Sequence, residues 1–340
     1  MAESVHGRAK SRIRLQEVAL ESGYSIGTVS RAISRPEHLH PATVAHVRAA
    51  AERLGYRPNI VARALRMGVS ESIHVLTPSL VSLFPDIIRG IESAALDFGY
   101  SVVILHTAGD EVRQRRYLAD VAAGRADGAL LLSMPVPEGL GVGPGRFPPM
   151  VSVLQESGHA DVACVRMDDL QAASLVVEHL LGLGHRRIAH IRGEEGHPLA
   201  ARREQAFVRA MRAAGLRPIC VPGAFAPEAG QRAMAALLDA AEPPTAVYAA
   251  NDEIAVGALT ALRDRGLRAP EHVSVVGHDD QRLSRIYEPA ITTVQVPAFE
   301  MGRQAMSLLR SVMGSEGFPL ETLLTARLAV RSTTAPPGAT

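Results

Sequence analysis

The segment YSIGTVSRAIS, residues 24–34, sets Ser25, Thr28, Ser30 and Arg31 close together, the last three at helical spacing. Hydroxyls and a guanidinium on one helical face suit a polyanion. The hydroxyls can grip phosphate oxygens, and Arg31 can reach a phosphate or span a guanine edge. Other candidates for chemistry do not assemble. His185 and His190, in HRRIAHIRGEEGH, straddle an expected turn and strand without a cluster at zinc spacing, so no metal is expected. GLGVGPGR has the glycines of a phosphate loop but lacks the following Lys-Ser/Thr. No G-x-S-x-G elbow is present. No catalytic residue and no cofactor are expected, and a non-enzymatic role follows.

Charge separates the candidate segment from the rest. Residues 1–70 hold eleven Lys or Arg against five Asp or Glu, leaving 25 against 30 for the other 270 residues. A basic head on an acidic body points to a polyanionic partner for the head alone. The 340 residues suffice for two or three domains, and no apolar run reaches the length that spans a bilayer. The basic start MAESVHGRAKSRIR is not followed by an apolar stretch, so no secretory signal is expected. Two isolated cysteines, Cys164 and Cys220, suit a reducing compartment, and the cytoplasm is the expected location.

Short helices must position the polar face. RLQEVALES places Leu15, Val18 and Ala19 on one side and stops at Gly23. Ser25 then caps a second helix whose inner face is Val29, Ala32 and Ile33. A third, from Pro41, carries Val44, Val47, Ala51 and Leu54 as its stripe. Two helices about a tight glycine turn, braced by a third, form the helix-turn-helix pattern. From residue 72 the rhythm changes. SIHVLTP, SVVILHT, DGALLLS, RIAHIRG, TAVYAA and HVSVVG are apolar runs, most of them separated by amphipathic stretches such as PDIIRGIESAALDFG and IAVGALTALRDRG. That alternation predicts βαβ units on parallel sheets, enough for two. The Gly/Pro-rich stretch at 135–149 reads as a surface loop.

LQEVALESGYSIGTVSRAIS, LGYRPNIVARALR, LGHRRIAHIRG, ANDEIAVGAL and VSVVGHDD, in that order, resemble the lactose/galactose repressor (LacI/GalR) family of bacterial transcriptional regulators over about residues 13–334. The resemblance implies an N-terminal all-α helix-turn-helix DNA-binding domain. It implies an α/β core of two Rossmann-like subdomains, periplasmic-binding-protein-like, acting as a homodimer. The boundaries it implies are a basic arm at 1–12, a headpiece at 13–58 and a hinge helix with linker at 59–70. The core is 71–334, with an N-subdomain at about 71–168 plus 299–325 and a C-subdomain at about 169–296 plus 326–334. A flexible tail covers 335–340. Ile26 and Gly27 fall where this family sets operator choice. Ile26 either presses on a thymine methyl or serves as a core residue, and Gly27 lets the helix sit deep in the groove. In YRPNIVARAL, Asn59 can cap a short helix; by the resemblance Ala62 would allow close approach and Leu65 would wedge into the central base step, an ordinary linker helix with a core Leu being the alternative.

The same resemblance implies a small-molecule effector in the core's cleft, at strand ends. Arg203 matches the family's effector-gripping arginine, and Asn251 and Asp279 match its polar partners; helix or turn capping is the alternative role for those two. Phe225 sits where a ring packs on ligand, and Ser82, Phe84 and Asp86 come from the loop after the first strand. Leu154 replaces a frequent polar contact, with Gln155 or Glu156 as substitutes, and Ala298 stands where the lactose repressor carries a ring. The expected protein is a repressor on a roughly palindromic double-stranded operator, controlled by a sugar or sugar acid, with a purine or other non-sugar corepressor as the alternative. The core alone would also suit a solute-binding protein of transport. SIGTVSRAIS and YRPNIVARAL argue against that.

Overall fold

The computed structural model describes residues 13–57, 68–140, 148–314 and 317–338. Asn59, Ala62 and Leu65 of the expected hinge, and part of the loop expected at 135–149, lie outside the described residues. The chain divides into two units, Met1–Ser70 and Glu71–Thr340. Among the described residues no helix is long and apolar enough to cross a membrane.

In the first unit α1 (Leu15–Ser22) ends at Gly23, whose φ of 68° is the left-handed conformation that glycine adopts without strain. Ser25 caps α2 (Ile26–Ser34), its Oγ accepting from Thr28 N at 3.2 Å. A short 3₁₀ turn, Pro36–His38, leads to α3 (Pro41–Leu54), which starts on a proline and stops at the left-handed Gly55. Val18, Val29, Ala32, Val47 and Ala50 are fully buried where the three helices meet. These are mostly small side chains, so the helices approach closely and the core is thin.

The second unit contains two six-stranded sheets. The first uses β1 (Ser72–Thr77), β2 (Ser101–His106), β3 (Gly128–Leu132), β4 (Met150–Val153) and β5 (Ala163–Met167). Between them run α4 (Phe84–Asp97) and α5 (Glu111–Ala122). The chain then passes through α6 (Asp169–Gly182) into β6 (Ile188–Ile191), α7 (Pro198–Ala213), β7 (Ile219–Val221), α8 (Pro227–Leu238) and β8 (Ala246–Ala249). It continues with α9 (Asp252–Asp264), β9 (Ser274–Asp279), α10 (Arg282–Ile286) and β10 (Thr292–Gln295). α11 (Ala298–Met313) and β11 (Glu321–Leu324) return to the first half, and β12 (Arg327–Ala329) closes the second.

The strand orders are β11-β5-β4-β3-β1-β2 and β12-β10-β9-β8-β6-β7, and neighbouring strands run parallel except β10 with β12. Both halves thus repeat one winding, reversing direction about β1 and about β6. Loops at the carboxyl ends of strands flanking such a reversal leave a crevice. Each half also packs a helix pair through small residues. A Cβ on Gly90 of α4 would stand 1.9 Å from the carbonyl oxygen of Phe299 on α11, so only glycine permits that approach.

Candidate functional site

In the first unit, α2 divides by face. Val29 and Ala32 are fully buried, whereas Ile26 is 47% exposed at the first turn. Ile26 therefore does not serve the core. A Cβ on Gly27 would meet nothing closer than Ser25 Oγ at 3.9 Å, so the surface beside Ile26 is bare backbone. Thr28 and Ser30 are half-buried, and the Thr28 hydroxyl lies 3.0 Å from Ser25 Oγ. Exposed Arg31 donates from Nε to its own helix at Gly27 O, 3.3 Å away. All six residues expected to face DNA thus lie on one short segment, Ser25 also acting as the helix cap.

In the second unit, a cavity of about 270 Å³ opens at strand ends. It collects Ser82 and Phe84 after β1, Arg203 on α7, Phe225 before α8, Asn251 after β8 and Asp279 at the end of β9. Asp86 is not among its lining residues. It sits in the first turn of α4, paired with Arg89, and lines an adjoining cavity of about 760 Å³ with Ala298. Helix geometry explains the difference, because two residues along a helix turn to another face. Gln155 and Glu156 do not substitute for Leu154 here. Leu154 itself lines the cavity, while Gln155 is buried and Glu156 exposed outside it.

Arg203 is 3% exposed and held from two directions. Nη2 donates to Asp279 Oδ1 at 2.8 Å, and Nη1 donates to the Ala250 carbonyl. Nε lies 3.9 Å from Asp169 Oδ1 and has no hydrogen-bond partner. Burial raises the Asp279 carboxyl, and Arg203 opposes that rise. Asn251 Oδ1 accepts from Ile254 N at 2.9 Å, capping α9, which leaves its amide N–H groups for other partners. The Phe225 ring meets His197 edge-on at 5.4 Å between centroids. A Cβ on Gly193 would come within 2.4 Å of that ring, so the glycine makes room for it.

The residues that sequence reasoning missed follow strands as well. Ser133 follows β3, and Glu194 and His197 follow β6; Leu154, which the resemblance placed at a ligand-contact position, follows β4. Glu253 adjoins Asn251 at the start of α9 and lines the cavity too. His197 Nδ1 accepts from Leu199 N at 3.3 Å, so the neutral ring carries its proton on Nε2. The available signal was position, since a residue just past an apolar run on a parallel sheet lies at the crevice. Backbone strain marks the same place. Among the described residues seven non-glycines have positive φ, and Ser82, Ser133, Leu154 and Asp279 of these line the cavity. Such conformations cost free energy and persist where surrounding structure holds them, commonly at ligand sites.

Behind the cavity Asp252 is fully buried. Its Oδ1 accepts from Thr293 Oγ1 at 2.6 Å and its Oδ2 from Gln281 N at 2.7 Å. Burial first, and then the charge of Asp279, push its carboxyl up to about 8. The folded chain therefore keeps a proton that an unfolded chain, titrating near 3.8, has released. Stability from this group is fully present below that lower value and is lost as pH rises toward the upper one. Asp252→Asn, which can donate to Thr293 and accept from Gln281, should remove the decline. The gap in Tm between variant and wild type should grow in the variant's favour from roughly pH 5 to pH 8. Parallel profiles over that range would show that Asp252 does not titrate there.

Residues 14–59 match the model for bacterial regulatory proteins of the lacI family, and residues 177–334 match that for a periplasmic binding protein-like domain. The chain is 35% identical over 326 residues to the HTH-type transcriptional repressor CytR of Escherichia coli (strain K12), covering 94% of this chain and 96% of that protein. It is 33% identical over 300 residues to the HTH-type transcriptional repressor PurR of Haemophilus influenzae (strain PittEE), covering 87% and 89%. Among solved structures, the Lac repressor dimer bound to operator and the anti-inducer ONPF matches with a TM-score of 0.84 at 27% identity, over 96% of this chain and all of that one. The complex of the transcriptional regulator CelR with cellobiose matches at 0.70 and 30% identity, over 95% of this chain and all of that one.

Proposed function

This chain belongs to the lacI family of bacterial regulatory proteins, and on that premise we propose that it represses transcription as a homodimer on operator DNA, under control of a small molecule held in the Arg203 cavity. The observation that carries the DNA reading is the exposed first turn of α2. Ile26 and the bare backbone at Gly27 face solvent while Val29 and Ala32 hold the core. A helix start of that form suits the major groove, with apolar contact to a thymine methyl beside hydroxyl and guanidinium contacts to phosphate. Asn59, Ala62 and Leu65 extend the reading to the minor groove at the operator's centre, Leu65 as the wedge.

An edge strand supports the second copy. β2 ends the first sheet with Val103 and Ile104 40% and 47% exposed, and Leu96 nearby in sequence is 76% exposed. Open apolar edges invite pairing unless something covers them. The effector works by differential affinity, favouring one closure of the cleft and so one packing of the linker between the units. Ser82, Phe84, Arg203, Phe225, Asn251 and Asp279 are its proposed contacts. A role without turnover fits relatives that are transcriptional repressors, and a regulator of transcription works in the cytoplasm, beside the bacterial chromosome.

Selection of duplexes from a random pool by the full-length protein tests the proposal. Enrichment of sequences with two inverted half-sites is expected, and a pool that stays random rejects it. On a selected duplex, Arg31→Ala should reduce the slope of log affinity against log salt by about 0.9, the value of one phosphate contact. An unchanged slope would remove Arg31 from the phosphate backbone.

A further inference from the structure

The Arg203 cavity carries more negative charge than its cation balances. Arg203 is the guanidinium among its lining residues, and Asp279 already neutralises it at 2.8 Å; Asp169, 3.9 Å from Arg203, is itself paired with Arg202 at 2.7 Å. Two further carboxylates, Glu194 and Glu253, line the same space, and neither forms an ion pair among the described residues. Glu194 is exposed and Glu253 half-buried, and burial, then Asp279 and Glu228, shift the Glu253 carboxyl upward. A carboxylate so placed favours a partner that donates a proton in a hydrogen bond, and disfavours another anion.

A further feature describes the rest of the ligand. Phe84 from one half and Phe225 from the other add aromatic rings, and Leu154 and Leu199 add apolar surface. Ring faces pack against a flat base or the C–H face of a sugar.

We infer that the effector is an uncharged or cationic ring compound bearing hydroxyl or amino donors, that Glu253 receives one of those donors, and that Glu253 and Glu194 exclude molecules carrying carboxylate or phosphate. This rests on reading the Arg203 cavity as the effector site, and it removes sugar acids from the expected ligands. An anion is expected to bind at least about tenfold more weakly than its neutral counterpart, the scale of one unit charge repelled at a few ångströms in partly screened surroundings.

Equilibrium dialysis of the full-length protein against an equimolar mixture of matched compounds tests this, with retained molecules read by mass spectrometry. The mixture pairs glucose with gluconate, ribose with ribose 5-phosphate, adenosine with AMP and cytidine with CMP, and adds glucosamine. Retention of a neutral or cationic member over its anionic partner by about tenfold or more is expected. An anionic member retained as well as or better than its partner overturns the inference. Glu253→Gln, which keeps the shape, should bring the ratio toward one at low salt, and an unmoved ratio removes Glu253 from selection. Retention unchanged in Phe225→Ala would place the ligand outside this cavity and sink the effector-site reading itself. Retention of no compound overturns both.

Discussion

Arg203→Ala is expected to lower the melting temperature of the protein's larger unit by roughly 6–20 °C and to abolish ligand retention in its cavity. The first effect follows from Asp279, 6% exposed, whose Oδ1 accepts from Arg203 Nη2. Removing one partner of a buried ion pair costs about 3–5 kcal/mol, because the remaining charge stays out of water. For a unit of this size each kcal/mol moves Tm by about 2–4 °C. The Ala250 carbonyl loses its donor as well. Asp279 relieves part of the cost by taking up a proton, since burial already raises its carboxyl. The variant should therefore lose less stability at low pH than at neutral pH.

Stability and ligand binding separate in a second variant. Arg203→Met combined with Asp279→Asn removes both charges while keeping volume, and should recover most of the lost Tm without recovering ligand retention. Thermal melts of both variants decide the matter. A Tm within about 2 °C of wild type for Arg203→Ala would show that the pair contributes little to the fold, leaving Arg203 a ligand contact only.

The second large effect concerns Ile26. Ile26→Glu should leave the headpiece folded, or slightly stabilise it, while reducing affinity for a selected duplex by at least about a hundredfold. Ile26 is 47% exposed, so its replacement removes little buried area. A carboxylate in the first turn of α2 meets the positive end of the helix dipole, a gain of about 0.3–1 kcal/mol. Against DNA the sign reverses. The carboxylate would face base-edge acceptors and phosphates, and it would lose any thymine-methyl contact, each a cost of about 1–3 kcal/mol. Anisotropy titrations with circular dichroism melts separate the two effects. Intact affinity in a folded variant would take the first turn of α2 out of the interface.

These variants also show what was legible beforehand. The trihelical unit was, because each helix is local: an apolar stripe at helical spacing, a capping Ser25, and stops at Gly23 and Gly55. The role of Ile26 was not, since an apolar side chain at a first turn suits a core and a groove equally. Only the packing, which seats Val29 and Ala32 inward, left Ile26 outside. β2 repeats the lesson. SVVILH has the composition of a buried strand, yet it lies at the sheet edge with Val103 and Ile104 exposed.

By itself the sequence determined the alternation of helices and strands, the two-unit division of charge, and the polar face of α2. Periodicity, capping and charge act between near neighbours, so they survive in a linear reading. Tertiary structure alone decided the short strands β7, β11 and β12; the return of the chain near residue 299 to the first half was expected only through the family resemblance, not from any local pattern. It alone paired Arg203 directly with Asp279 across 76 positions, where the resemblance had only put both in the cleft, set Glu253 and Glu194 beside them, and turned Asp86 away. Those outcomes depend on which strand ends meet at a reversal of winding, and winding joins residues that no local pattern connects.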